Sequence, residues 1–261
     1  MLTRTKALVD RFFVLNVGYV GRLAIYLYTQ ALEFFYPLRI NRIVEQLESV
    51  GFKSIGIILL TGVSVGMTFG VQVGAIYSIF GVESLIGSTT GLALAVEIAP
   101  LTTAFLVAGY YGSSTTAELA AMKISEQLDA MEAMGVSLLN YFVKPTVIAT
   151  VLAMPMLYFY FMLMGFLGAY IVGVEMFDIS FGNFYVWLKR YVWVEDIVKG
   201  AVKSTVFGLV VALVSCSFGL RATGGARGIG LTTSNSVVVN LLAILVADVF
   251  ITYFQMKRAG L

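Results

Sequence analysis

The sequence predicts an all-α integral membrane protein, with an N-terminal interfacial helix followed by five transmembrane helices. Three observations lead there. Of 261 residues, 59% are hydrophobic and 12% are charged, about half the roughly 25% charged share of soluble domains. So little charge cannot coat a water-soluble body of this size. Apolar stretches matching the ~20 residues of a spanning helix recur along the chain, and basic residues concentrate on alternate joints between them. The composition also excludes other classes. A net charge of +2 gives no general affinity for nucleic acid. There is no His and one Cys, Cys216. That removes His-containing zinc sites, Ser-His and Cys-His nucleophilic pairs and any intrachain disulfide. No metal site and no catalytic residue are expected, and the chain is not expected to be an enzyme.

The elements follow in order. Residues 1–53 form an N-terminal cytoplasmic or interfacial region. Phe12 to Leu38 is apolar, but Arg22 falls near its middle and Glu33 follows. A central Arg costs about 2.5–3.5 kcal/mol on insertion scales. With Arg4, Lys6, Arg11, Arg39 and Arg42 around it, a helix in the headgroup plane fits better than a sixth span, which stays open. The transmembrane domain covers 54–256, and 257–261 form a C-terminal tail. Ser54–Val82 and Pro145–Val174 carry no charge, Ser84–Ala117 carries only Glu97, and Ser204–Leu220 carries none. Gly228–Ala247 is uncharged and is followed by Asp248. The spans are placed at 55–80, 90–112, 147–172, 202–220 and 236–255. Four joints separate them: one near 81–91 without Lys or Arg, a long amphipathic one at 113–144, an aromatic one at 175–201 and a Gly/Thr-rich one at 221–235. An N-terminus in the cytoplasm puts eleven basic residues inside against six outside, as the positive-inside rule prefers.

Four features of the spans and joints stand out. Gly62, Gly66, Gly70 and Gly74 lie at strict i,i+4 spacing, a smooth stripe that permits close helix approach. The stripe serves packing within the bundle or a sliding interface. Beside it Phe69, Val73, Ile76, Tyr77 and Phe80 recur at helical spacing, as core, as lipid-facing surface or as the lining of a lipid pocket. Glu97, Lys203 and Asp248 are intramembrane charges, costly unless paired or hydrated. They read as a buried ion pair or as residues snorkelling to the interface, or else as a polar cluster gating a lipid route or opening a hydrated cavity. Finally, 125–134 reads as a short acidic helix with Ser125 as N-cap, acids Glu126, Asp129 and Glu132 on one face, Met131 between them and Gly135 as its stop. Its spacing alone fits a solvated loop helix and a docking element for a cytosolic motor equally. Gly224–Gly230 is glycine-rich but lacks the Gly-Lys-Ser/Thr of a phosphate loop, so nucleotide would have to be bound by another polypeptide.

The run from Glu97-Ile-Ala-Pro100 to Gly109, then Ala117-Glu118-Leu, Glu126-Gln-Leu-Asp129-Ala-Met-Glu-Ala-Met-Gly135 and Lys144-Pro145 closely resembles the MlaE/YrbE permeases. Thr223-Gly-Gly-Ala-Arg-Gly-Ile-Gly230 with Thr232-Thr233 is similar to that family too, and the likeness runs from about residue 40 to 255. These permeases are the membrane subunits of ABC transporters that move phospholipids or related lipids across the envelope with MCE-domain proteins. The resemblance implies a dimeric permease of the bacterial inner (plasma) membrane, with a second permease copy as partner. It implies that 125–134 is a cytoplasmic coupling helix, with Glu126, Gln127, Asp129, Met131 and Glu132 meeting a cytosolic ABC ATPase. ATP and Mg would sit on that ATPase and no cofactor on this chain. An MCE-domain lipid-binding protein, a STAS-type cytosolic subunit and membrane lipid complete the implied partners. Where the family often has a basic residue before the glutamate, this chain has Val96, and Tyr110-Tyr111-Gly112 replaces a segment that commonly carries Arg. The roles of those arginines do not carry over. The alternative class is an ion-coupled secondary transporter using the intramembrane carboxylates Glu97 and Asp248.

Overall fold

The computed structural model describes residues 40–258, and among them every regular element is helical. The expected interfacial helix over 12–38 lies outside the described residues. Span one is one continuous helix, Ile40–Phe80: α1 (Ile40–Leu47), a π turn at Glu48–Phe52, and α2 (Lys53–Phe80). It begins well before residue 55, because the polar turns at 40–54 contain no Pro and continue the helix beyond the apolar stretch. Gly81 ends it in the left-handed region at φ 66°, where a residue without Cβ is cheapest. The Gly81 and Val82 amides donate to the Ser78 and Tyr77 carbonyls.

Span two is also unbroken, Glu83–Ile124, 42 residues or about 60 Å at the α-helical rise. It comprises α3 (Ile86–Ala93), a π turn at Leu94–Ile98, α4 (Ala99–Val107), a second π turn at Ala108–Gly112, and α5 (Ser113–Ile124). Residues 113–124, expected in a joint, are therefore the end of the span. Ala117-Glu-Leu-Ala-Ala-Met-Lys123 is a run of strong helix formers, and polarity alone does not stop a helix. The break falls at Ser125–Glu126, after which come α6 (Gln127–Ala133) and a stop at Gly135, φ 76°.

Span three is α7 (Lys144–Phe177), entered through a π turn at Leu139–Val143. A connecting helix, α8 (Phe181–Tyr191), is capped by the Ser180 hydroxyl, which accepts from the Asn183 amide at 3.4 Å. Span four is α9 (Val194–Gly219), whose Asp196 carboxylate accepts from the Trp193 amide at 3.2 Å. Span five is α10 (Gly225–Arg258). It takes in most of the Gly/Thr-rich segment expected to be a joint, since the short run Leu220–Gly224 suffices for the turn. Among the described residues, five helices are thus long and apolar enough to cross a membrane.

The register of side-chain contacts fixes their directions. Positions 62, 66, 70 and 74 of α2 meet 161, 165, 169 and 177 of α7, so spans one and three run parallel. Span four runs parallel to span two and antiparallel to span five. The main core gathers Ile58, Leu94, Met154, Leu157, Tyr158, Phe161, Phe207 and Ile244 from all five spans. Leu157 and Phe161 of span three are fully buried there. Leu152, Met156, Phe159, Tyr160, Leu163 and Leu167 of the same span face outward. Every residue of span three between 145 and 174 is uncharged, so hydropathy cannot distinguish its two faces.

Candidate functional site

The three intramembrane charges come together. Lys203 projects from α9, is fully buried, and donates to Glu97 of the Leu94–Ile98 π turn. Its Nζ also lies 3.0 Å from Asp248 Oδ1 on α10. One ammonium therefore serves two carboxylates from two other spans, the arrangement that makes buried charge tolerable. The Glu97 side chain stays 40% exposed while that of Asp248 is nearly covered, so the cluster opens to the outside of the subunit on the span-two side.

About two turns along α10, toward the α6 end, lies a second polar group. Thr116 Oγ1 is 2.9 Å from Ser236 Oγ and donates to Gly112 O. The Asn240 amide donates to Ser215 Oγ at 3.0 Å. None of these residues stood out in the sequence. A signal was present: Ser236, Asn240 and Asp248 fall at multiples of four along the otherwise apolar stretch 236–248, hence near one face.

Helix α6 sits on the span-two end remote from Glu97. Leu128 is its buried anchor, Met131 is half-buried, and Glu126, Gln127, Asp129 and Glu132 are exposed. Ser125 is not its N-cap. The Ser125 hydroxyl donates back to Ala121 O at 2.8 Å, closing α5, and Glu126 takes the cap position with φ 59°. Asp129 is tied by 2.6 Å to Lys123 Nζ, bridging the break and facing its own chain as well as solvent.

The glycine stripe packs inside one chain: a Cβ on Gly66 would lie 2.0 Å from Gly165 O, and one on Gly74 would enter the Phe177 ring. The aromatic-aliphatic stripe beside it is divided. Val73 packs with Ile86, Ala169, Ile179 and Phe184, and Phe69 and Tyr77 flank that cluster. The Tyr77 hydroxyl lies 2.6 Å from Thr89 Oγ1. Ile76 and Phe80 face outward. An apolar groove of about 500 Å³ lies elsewhere, between Val44, Leu47, Phe52 and Ile55 of span one and Met156 and Tyr160 of span three. Among the described residues, no cluster of three or more His, Cys, Asp or Glu could hold a metal ion.

Set beside known proteins, residues 43–254 match the family described as Permease MlaE. The chain belongs to the MlaE permease family. It is similar to a probable ABC transporter permease protein of Synechocystis, 34% identical over 85% of both chains. It is also similar to a probable ABC transporter permease protein of Pyropia yezoensis, 32% identical over 84% of both. A chloroplastic protein of Arabidopsis thaliana, named trigalactosyldiacylglycerol 1, is 36% identical over 83% of this chain. The match covers 62% of that plant protein's length. This MlaE permease is accordingly an ABC transporter permease and a multi-pass membrane protein. Its ion cluster lies partway along span two, and its α6 follows the far end of the same helix.

Proposed function

We propose that this chain is the permease subunit of a lipid transporter driven by a separate ATPase that docks on α6. The observation that supports the reading best is the continuity of span two: α6 hangs from its last turn, and Glu97 sits some 27 residues, about 40 Å, up the same helix. A push on α6 therefore crosses only the short break at Ser125–Glu126 before one unbroken helix carries it to the ion cluster. The two π turns at 94–98 and 108–112 are the places where such a helix bends most readily. Nucleotide binding is assigned to the partner, since the glycine-rich 225–230 forms the first turns of α10. The cargo is a phospholipid or related lipid, in keeping with the galactolipid in the plant relative's name and with apolar outward faces that suit acyl chains.

A second copy of the chain would close the transport seam. The Glu97 carboxylate is partly exposed, and facing acyl chains would cost it several kcal/mol. Its face of span two therefore belongs against a hydrated cavity or a second copy. An MCE-domain protein on the Glu97 end and a STAS-type subunit on the α6 end are the further partners of this reading. The N-terminus is assigned to the cytoplasm of a bacterial inner membrane.

The test is reconstitution. Lipid transfer by proteoliposomes should require ATP and the ATPase; transfer driven by a proton gradient alone would replace this reading with an ion-coupled carrier. Gln127→Lys with Glu132→Lys should cut ATPase co-purification at least tenfold, because two exposed groups of an acidic docking face become repulsive. Undiminished co-purification would remove α6 from the interface. Asp129→Lys is a poorer probe, since it also breaks the bridge to Lys123. A photo-crosslinker at Ile76 or Phe80 should capture lipid in a nucleotide-dependent way, and one at the outward Leu163 should capture it regardless. Equal labelling at all three positions would place span one against bulk lipid.

A further inference from the structure

We propose that Tyr158 is the positioning residue of the ion cluster, its phenol standing in for the N–H that Pro100 lacks. In the π turn at Leu94–Ile98 the Ala99 amide is committed to the Leu94 carbonyl, five residues back. The next donor in that pattern would be residue 100, which would serve the Ala95 carbonyl. Residue 100 is proline and has no N–H to give. The Ala95 carbonyl is thus left without a helical donor in the middle of a membrane bundle, where water is not at hand and an unmet carbonyl is costly.

Tyr158 of α7 fills the gap. It is fully buried, and its hydroxyl donates to Ala95 O at 2.8 Å. Ile197 O of α9 lies 3.3 Å from the same hydroxyl. The phenol thus stands at the meeting of spans two, three and four, two residues from Glu97 on one side and six residues from Lys203 on another. The sequence leaves room for it. A Cβ at position 200 would come within 2.2 Å of Ala95 O and 2.5 Å of the Tyr158 hydroxyl, and the residue there is Gly200. Three residues of three helices, Pro100, Tyr158 and Gly200, therefore agree on one geometry. Its product is a π turn that presents Glu97 to Lys203.

Tyr158 touches neither member of the ion pair, so its effect on the cluster passes through the backbone of the turn. The consequence for transport rests on the permease reading; the geometric inference does not. The primary measurement is therefore spectroscopic. Purified protein carrying ¹³C-carboxyl glutamate gives infrared carboxylate bands, and subtraction of the Glu97→Gln spectrum isolates the Glu97 band. In Tyr158→Phe protein that band should shift, and in Tyr158→Phe/Pro100→Ala it should return toward its original position, because alanine restores an N–H for Ala95 O. A band unmoved by Tyr158→Phe, or a shift untouched by Pro100→Ala, overturns the assignment. Should Tyr158→Phe not yield folded protein, recovery of folded protein by added Pro100→Ala supports the assignment equally, and failure of that rescue refutes it. In reconstituted transporter, Tyr158→Phe should lower transport several-fold in a wild-type background and add little to Glu97→Gln. A merely structural tyrosine would lower both alike. The expected infrared behaviour without any ATP-dependent transport would sink the permease reading and leave the role of Tyr158 standing.

Discussion

Lys203→Met is expected to abolish most folded protein, a larger loss than neutralising either of its partners. The lysine is fully buried and is the cation shared by Glu97 and Asp248. Removing one partner of a buried ion pair typically costs about 3–5 kcal/mol, against a total stability of about 5–15 kcal/mol for an ordinary protein. Here the substitution strands two carboxylates side by side, which repel each other in a medium of low dielectric. The triple variant Lys203→Met, Glu97→Gln, Asp248→Asn should recover most of the loss, because exchanging a whole buried ion cluster for neutral groups is often harmless. Thermal unfolding and monodispersity of the detergent-purified proteins decide the matter. A single variant that melts like the wild type would mean that the cluster is hydrated rather than buried. A triple variant that folds but does not transport would assign the charges to function rather than to stability.

Gly66→Leu is the second substitution with a large expected effect. The Cβ alone would sit 2.0 Å from Gly165 O and 2.7 Å from its Cα, so the α2 and α7 backbones would have to separate. Overpacking an ordinary core site costs about 1–3 kcal/mol, taken up by side chains that shift. Two apposed backbones cannot shift that way, and the cost should exceed that range. Gly66→Ala should already be destabilising. Gly56→Ala, with nothing within 4 Å of the added Cβ, should be silent or slightly stabilising through helix propensity. Wild-type yield and melting for Gly66→Leu would mean that spans one and three are not in contact along the glycine stripe.

The ion cluster shows how far the sequence could be read. Glu97, Lys203 and Asp248 were conspicuous because charge is rare in apolar spans, and each was legible alone. An ion pair or polar cluster was among the readings, but which residues meet was not legible, since it depends on three helices converging at one depth. Tyr158 carried no signal of its own: a tyrosine in an apolar run reads as core, and its role exists only because Pro100 and a π turn on another span leave a carbonyl unmet. The stripe from Phe69 to Phe80 was legible as residues sharing one helical face, but α8 and α7 cover half of that face, and a covering element cannot be inferred from the helix it covers. The acidic residues of α6 were legible as exposed, while the return of Asp129 to Lys123 depended on the backbone break at Glu126.

By itself, the sequence determined the solvent of this protein and the five apolar spans found among the described residues, because burial in hydrocarbon is a property of each helix's own composition. It also excluded any chemistry that needs a histidine of this chain. Only the tertiary structure decided where each helix ends, which face of a span meets protein and which carbonyl is left for a tyrosine to satisfy. The physical reason is that membrane spans are apolar all round, so the hydrophobic pattern that orients a soluble helix is absent. Orientation is left to close backbone contacts such as Gly66 on Gly165 and to a few polar side chains such as Lys203 and Tyr158, whose partners lie on other helices.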